Sequence, residues 1–192
     1  VEDAVTVTTE GVVELQANYY DSVILSASDQ CGSGVTGTRS IYANLEPEYH
    51  DVDLGAETGA PFGSLAVGDS LDVDIRIEGS NTYDVTAFQM VLTFNSSIVR
   101  VQSDADCVQG GDWSSSFECT TNDPVDEVLI VGSCGLSPSS GCDSTGLLSV
   151  ATVKFTAIAD GITTISGDIV KIKDDDGTTE DETIFAGSDV LI

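Results

Sequence analysis

The sequence is poor in the residues on which most catalytic and nucleic-acid-binding sites depend. Its 192 residues include one histidine, one methionine and six lysines and arginines, against 33 aspartates and glutamates. The formal net charge of -27 repels nucleic acids and anionic membrane surfaces. The single histidine, His50, lies in an acidic stretch without a recognisable nucleophile or base motif. These shortages exclude nucleic-acid binding and argue against an enzyme.

The sequence also lacks any run of the roughly 18 to 20 apolar residues that would span a bilayer. We expect no membrane insertion. There is no initiator methionine and no signal-like segment, so Val1 is expected to be a processed or trimmed start. The acidity has two interpretations: a solvated surface adapted to salt or divalent ions, and a set of specific calcium sites.

The sequence is rich in the residues of short strands and turns, with 19 glycines but only four prolines. Aliphatic and charged residues alternate over residues 71–78, as a sheet with one wet face requires. Apolar patterns also predict strands over residues 85–94, 98–101, 127–131, 146–159 and 162–173. The fold class is therefore all-β. Residues 1–62 contain strand-like pieces separated by polar, Gly-rich stretches, and they are either extra strands of the same sandwich or an appendage.

Five cysteines indicate disulfides, because the chain has neither CxxC spacing nor histidine partners for a metal. The simplest pairing joins Cys107 to Cys119 and Cys134 to Cys142, although four cysteines allow three pairings. Residues 103–124 and 132–145 are accordingly predicted to be long disulfide-closed loops. Cys31 is left over, as a free buried thiol or an intermolecular link. Disulfides place the chain in an extracellular or cell-surface compartment.

Several segments after residue 62 resemble cohesin modules. A Val-Gly-Asp turn precedes the first alternating strand, an Ala-Phe strand ends in an aromatic residue and a turn, and a hairpin closes the domain. These segments are residues 67–71 (VGDSL), 85–95 (VTAFQMVLTFN), 153–157 (VKFTA) and 160–165 (DGITTI). The resemblance covers roughly residues 63–192, and related surface and carbohydrate-associated sandwiches share its patterning.

The resemblance implies a nine-stranded, jelly-roll or immunoglobulin-like β-sandwich without catalytic activity. A flat sheet face of such a module binds a small calcium-dependent dockerin partner. Two features depart from the cohesin pattern: the cysteine loops and the extension of about 60 residues.

The extension contains a distinctive strand pattern. The aliphatic residues Val5, Val7, Val13 and Leu15 share one parity, whereas Thr and Glu occupy the other. A strand of this kind either belongs to its own sandwich or completes the sheet of the next subunit, since backbone hydrogen bonds along a sheet edge supply affinity. Residues 1–17 are therefore a candidate linking strand for head-to-tail assembly.

Three further sites are candidates from sequence alone. Asn95 begins an Asn-Ser-Ser glycosylation sequon, and Trp113 is a candidate sugar-stacking residue. Asp174, Asp176 and Thr178 repeat the alternating oxygen spacing of a calcium loop, although the flanks of an EF-hand are missing. The alternative is that residues 174–177 form a solvated acidic turn. No cofactor is required, and calcium is the ion this spacing would hold.

The leading hypothesis from sequence is a non-enzymatic extracellular protein that polymerises, or attaches to a surface scaffold, through its N-terminal strand. Its partners would be further copies of itself or another extracellular protein. The first alternative is a cohesin-type module for a dockerin-like partner, and the second is a glycan-binding module that uses the Trp113 loop.

Overall fold

The computed structural model describes residues 5–8, 12–15, 22–28, 36–42, 49–55, 62–79, 84–121, 125–134, 146–175, 179–180, 185–186 and 188–192. Within these ranges the regular elements are strands and one 3-10 helix, Asp104–Asp106. The strands are β1 (Val5–Val7), β2 (Val13–Leu15), β3 (Ser22–Ser28), β4 (Thr36–Tyr42), β5 (Val52–Leu54), β6 (Ser70–Glu78), β7 (Val85–Thr93), β8 (Val99–Arg100), β9 (Cys107–Gln109), β10 (Ser116–Thr121), β11 (Glu127–Ser133), β12 (Leu147–Ala157), β13 (Ile162–Asp174), β14 (Thr179–Glu180), β15 (Phe185–Ala186) and β16 (Ser188–Leu191).

Twelve of these strands form two six-stranded sheets. Sheet I has the order β10-β11-β7-β13-β14, with β16 pairing to the first part of β13. Sheet II has the order β15-β5-β6-β12-β8, with β9 also beside β12. All pairs are antiparallel except β15 with β5. The resemblance implied nine strands, and the two sheets exceed that number because they include short strands such as β9, β14 and β15.

The core lies between the two sheets, and period-two alternation explains how it forms. In β6 the side chains of Val73, Ile75 and Ile77 are fully buried, whereas the charged residues between them point outward. In β7 the buried residues are Val85 and the alternating Phe88, Met90 and Leu92. Phe94 of sheet I meets Phe155 of sheet II edge to face, with ring centroids 5.2 Å apart. The predicted all-β sandwich is confirmed.

The N-terminal region does not contain the single long strand that its pattern predicted. β1 and β2 form a two-stranded hairpin in which Val5 pairs with Leu15 and Val7 pairs with Val13. The chain reverses between them, and the Thr8 backbone N–H donates to the Val12 carbonyl at 2.9 Å. The four aliphatic residues therefore occupy odd positions because they pair with each other across two short antiparallel strands, and not because they lie along one continuous strand. β3 and β4 form a second two-stranded sheet.

The described part of the predicted loop over residues 103–124, residues 103–121, contains regular secondary structure. Residues 104–121 contain the 3-10 helix, β9 and β10, and the Cys107–Cys119 disulfide joins β9 of sheet II to β10 of sheet I. Gly110 lets the chain pass close to β12, since a Cβ at this position would lie 2.3 Å from the Ser149 carbonyl oxygen. The disulfide is thus a covalent link between the two layers of the sandwich.

The 3-10 helix is tied to the end of β10. Asp104 Oδ1 accepts hydrogen bonds from the Thr121 hydroxyl at 2.8 Å and from the Thr121 backbone N–H at 2.9 Å. These two donors, the hydroxyl first, hold the pKa of Asp104 below its ordinary value. The last residue of β10 therefore has its outward N–H satisfied by a side chain.

Removing the inter-sheet disulfide should destabilise the sandwich. A Cys107→Ser/Cys119→Ser variant opens a loop with a sequence separation of 12 residues, for which the chain-entropy model expects a loss of about 3 kcal/mol. For a domain of this size we expect a Tm lower by roughly 6–12 °C, measured by calorimetry under oxidising conditions. A variant as stable as the parent chain would show that the bond does not constrain the unfolded state.

Candidate protein-binding face

The outer face of sheet I is a continuous, weakly charged surface. Its centre is formed by Gln89 and Val91 of β7 and by Leu129 and Val131 of β11, all half-buried. Register places Val131 beside Gln89 and Leu129 beside Val91. In the described part of the chain no side-chain hydrogen bond involves these four residues. The centre of the face is therefore apolar apart from one neutral amide.

Charged residues surround this centre instead of occupying it. On β13, Lys171 lies opposite Gln89, Lys173 opposite Ala87 and Asp168 opposite Val91. On the other side, Glu118 of β10 lies opposite Val131. Because the whole chain has only six lysines and arginines, the two lysines on β13 are a concentration of positive charge in a strongly acidic protein.

The outer face of sheet II has the opposite character. Arg76 is paired with the buried carboxylate of Asp53. Asp74 Oδ1 accepts hydrogen bonds from Ser149 at 2.6 Å and Thr152 at 3.3 Å, and Ser70 and Thr156 hydroxyls lie 3.0 Å apart. These polar groups of sheet II are engaged in an ion pair or in hydrogen bonds. Of the two outer faces, that of sheet I has the apolar centre.

Trp113 is a core residue, so the prediction of a sugar-stacking platform is wrong. Its side chain is only 2% exposed, and its ring meets Phe88 edge to face with centroids 4.8 Å apart. Trp113 Nε1 donates to the Ser116 carbonyl at 3.0 Å. Gly132 leaves room for both rings, since a Cβ there would lie 2.3 Å from Phe88. A residue with both its ring and its polar atom engaged cannot stack on a glycan.

Asp174 lies inside the protein and not on an exposed acidic turn. Its side chain is 1% exposed, and its carboxylate accepts a hydrogen bond from the Tyr49 hydroxyl. His50 Nε2 lies 3.7 Å from the same carboxylate, and the Tyr49 and His50 rings are stacked with centroids 3.7 Å apart. The remaining calcium candidates, Asp176 and Thr178, lie outside the described residues. The calcium site stays a prediction, without a cluster of three metal-ligating side chains in the described part.

The other predicted residues fall in different places. Asn95 is exposed in the turn after β7, where its Oδ1 accepts from the Ser97 N–H at 3.0 Å. Cys134 is disulfide-bonded, but the predicted partner Cys142 and the odd Cys31 lie outside the described residues. Val7 is 57% exposed and Val13 is half-buried.

An open groove lies at one end of the sandwich. It has a volume of about 460 Å3 and is lined by Arg100, Val101, Gln102, Val125 and Ile158. Among the described residues, its lining contains no acid, base or nucleophile pair. No helix in the described ranges is long and apolar enough to cross a membrane.

Sequence reasoning missed two features of the structure. The pairing of Val91 with Leu129 across β7 and β11 depends on strand order, which periodicity does not specify. The approach of His50 to Asp174 depends on the same topology. The sequence does show Lys171 and Lys173 on either side of the apolar Ile172. This alternation indicates that both lysines lie on the outer face of their strand, where they give one side of the face a positive charge.

The buried position of Trp113 predicts a structural effect of its removal. Trp113→Ala should lower the free energy of unfolding by about 3–5 kcal/mol, because it leaves a cavity beside Phe88. Chemical denaturation measures this loss, and Trp113→Phe is the control that keeps most of the volume. A Trp113→Ala protein of unchanged stability would contradict the core assignment.

The hydrogen bond from Tyr49 to Asp174 predicts a smaller effect. Tyr49→Phe should cost about 1–2 kcal/mol, because a partly buried donor to a buried carboxylate is lost. A double-mutant cycle with Asp174→Asn should give a clear coupling energy between the two side chains. If the two losses simply add, the contact does not contribute to stability.

Comparison with solved structures shows a cohesin-like β-sandwich. A chain of a type I cohesin–dockerin complex from Clostridium thermocellum superposes with a TM-score of 0.60 and 12% identity, over 76% of this chain and 99% of that chain. A non-cellulosomal cohesin from Archaeoglobus fulgidus gives 0.55 and 19%, over 76% and 93%. The cohesin module of a family 33 glycoside hydrolase from Clostridium perfringens gives 0.55 and 14%, over 74% and 97%.

No protein-family model and no curated protein sequence matches the chain. The structural likeness therefore concerns the fold, at identities of 12–19%. The predicted resemblance to cohesin modules is confirmed at that level, and about three quarters of the chain has a cohesin-like β-sandwich fold.

Proposed function

We propose that the chain is a non-catalytic, extracellular protein-binding module that presents the outer face of sheet I to a partner protein. The observation that carries this proposal is the contrast between the two outer faces. On sheet II, Arg76 is paired with Asp53 and Asp74 accepts a hydrogen bond from Ser149, whereas the centre of sheet I presents the apolar side chains of Val91, Leu129 and Val131.

The composition of this face suits an interface. The buried centre of a protein–protein interface is depleted in charge, and its rim is polar. Here the centre contains Gln89, Val91, Leu129 and Val131, and the charged residues stand at the flanks. Both strands lie inside a sheet, so the surface is preformed and loses little conformational freedom on binding.

The chemistry of the face indicates what a partner should look like. It should place apolar side chains over Val91 and Leu129 and an acidic group near Lys171 and Lys173. The charge of -27 repels partners that are acidic overall. The Clostridium thermocellum structure is a complex of a cohesin with a dockerin, and we infer that a dockerin-like module is the class of partner to test first.

Two further observations support the non-catalytic and extracellular parts of the proposal. His50, the only histidine of the chain, is fully buried beside Asp174, where no substrate could reach it. The Cys107–Cys119 disulfide is typical of an oxidising compartment.

Binding to immobilised, calcium-loaded dockerin modules, measured by interferometry, tests the proposal with matched variants. Leu129→Asp, in the centre of the face, should weaken binding at least tenfold. Val108→Asp makes the same kind of change on sheet II, where Val108 is 51% exposed, and should leave binding unchanged. Lys171→Glu and Lys154→Glu form a second matched pair, with loss expected only for the first.

If the sheet I variant and the sheet II variant of each pair weaken binding equally, the outer face of sheet I is not the binding site. Absence of binding to every dockerin would remove this class of partner. Melting curves for each variant separate a lost contact from a lost fold.

Self-assembly by strand addition is a second candidate function. The observation in its favour is that β1–β2 and β3–β4 are two-stranded sheets outside both sheets of the sandwich. A single linking strand over residues 5–15 does not fit the hairpin formed by β1 and β2. Assembly would therefore use an open strand edge of a hairpin.

A further inference from the structure

The β3–β4 hairpin is a long, regular sheet without a sheet partner. Its two seven-residue strands are paired along their whole length, from Ser22 opposite Tyr42 to Ser28 opposite Thr36. Ile24 is 67% exposed, and residues 36–40 are all exposed. In the described ranges no third strand pairs with either edge.

Such a hairpin is a weak structure by itself. An isolated two-stranded sheet is marginally stable in water, and a third strand or a packed face is needed for independent stability. In the described ranges the pairing ends at two strands, and Ile24 faces solvent while Leu25 is half-buried. The hairpin would therefore gain more stability from an added strand than any strand within the sandwich would.

The charge of the hairpin differs from that of the whole chain. The two strands contain no aspartate or glutamate, and β4 contains Arg39. The rest of the chain, outside β3 and β4, carries all 33 acidic residues and five of the six lysines and arginines. Two copies of a chain with a net charge of -27 repel each other, so contact between copies is favoured where one side is neutral or positive. The hairpin meets this condition.

Among the strands that end the two sheets, β10 is the one long enough to accept another strand. β8, β14 and β15 have two residues each, β9 has three and β16 has four. The Leu191 carbonyl of β16 already accepts the Leu65 N–H at 2.9 Å. β10 has six residues, and its disulfide to β9 holds it against the other sheet. It is a rigid, preformed edge.

In the described ranges, the middle of this edge has no strand partner. Because the Thr121 N–H points away from β11 toward Asp104, alternation in an antiparallel pair directs the backbone groups of Cys119 and Phe117 outward as well. The two ends of β10 are engaged: Thr121 bonds Asp104, and the Ser116 carbonyl accepts from Trp113. Between them, residues 117–120 have no strand on the side away from β11 in the described ranges. Glu118 is exposed, whereas Phe117, Cys119 and Thr120 are half-buried.

We propose that the β3–β4 hairpin of one copy adds to the β10 edge of a second copy and extends its sheet I. Antiparallel addition that pairs residues 37–40 of β4 with residues 117–120 of β10 places Arg39 opposite Glu118. Neither residue forms an ion pair within the described part of the chain. This contact deepens the second proposed function, self-assembly, and is independent of binding at the outer face of sheet I.

The geometry of the contact is head-to-tail. The donor hairpin and the acceptor edge are different parts of the chain, so each copy that accepts a hairpin still offers its own. A heterologous contact of this kind continues into a filament unless the rotation closes a ring. Backbone hydrogen bonds supply the affinity, and the Arg39–Glu118 pair selects the register.

Sedimentation velocity of the full chain over a concentration series at fixed low salt, with negative-stain microscopy, tests this contact. Arg39→Glu should weaken association roughly tenfold, because it places like charges opposite each other. Adding Glu118→Arg should restore association to within about threefold. The matched control is Arg39→Glu with Asp160→Arg, which has the same net charge but alters an exposed turn, and it should not restore association.

The outcomes separate this contact from self-assembly in general. Rescue by Glu118→Arg alone supports the β10 edge. Assembly that ignores Arg39→Glu, or rescue by Asp160→Arg as well, overturns the edge while leaving self-assembly intact. A parent chain that is monomeric throughout the series overturns both. Loss of assembly on deleting residues 1–17, with no effect of Arg39→Glu, would assign the contact to the β1–β2 hairpin.

Discussion

The burial of alternate aliphatic side chains between two sheets is the constraint on which the rest of this structure depends. Val73, Ile75 and Ile77 on one layer and Phe88, Met90 and Leu92 on the other are buried to 99% or more. Once these side chains point inward, the pleat obliges their neighbours to point outward. The uncharged surface over Val91 and Leu129 and the bonded polar surface around Asp74 are both consequences of that single alternation.

Net charge makes the difference between the two outer faces informative. The chain has 33 acidic and six basic residues, so a sheet face that serves only to keep the protein in solution would be expected to contain carboxylates at its centre. The centre of sheet I contains none. Sheet II shows one way to keep carboxylates on a sheet, which is to bond them to Arg76, Ser149 and Thr152. Sheet I keeps carboxylates out of its centre, a pattern that serves recognition better than solubility.

Local patterning predicted those parts of the fold whose signal is local. β6, β7 and β12 lie where alternating or apolar runs placed them, since one buried face dictates such a sequence. The N-terminal strand was mispredicted because Val5, Val7, Val13 and Leu15 share a parity whether the chain continues or reverses. Residues 103–124 lack aliphatic alternation, so β9 and β10 had no pattern to show. Contacts such as His50 with Asp174 depend on strand order, which period-two patterning leaves open.

The Cys107–Cys119 bond also determines how this molecule would respond to mechanical tension. An edge strand pulled from one end peels away one hydrogen bond at a time, so that little force is needed at any moment. Cys119 is the fourth of the six residues of β10, and its sulfur is bonded to the opposite layer. Peeling would stop at that residue, and further force would pass into sheet II, where it must shear a whole layer at once.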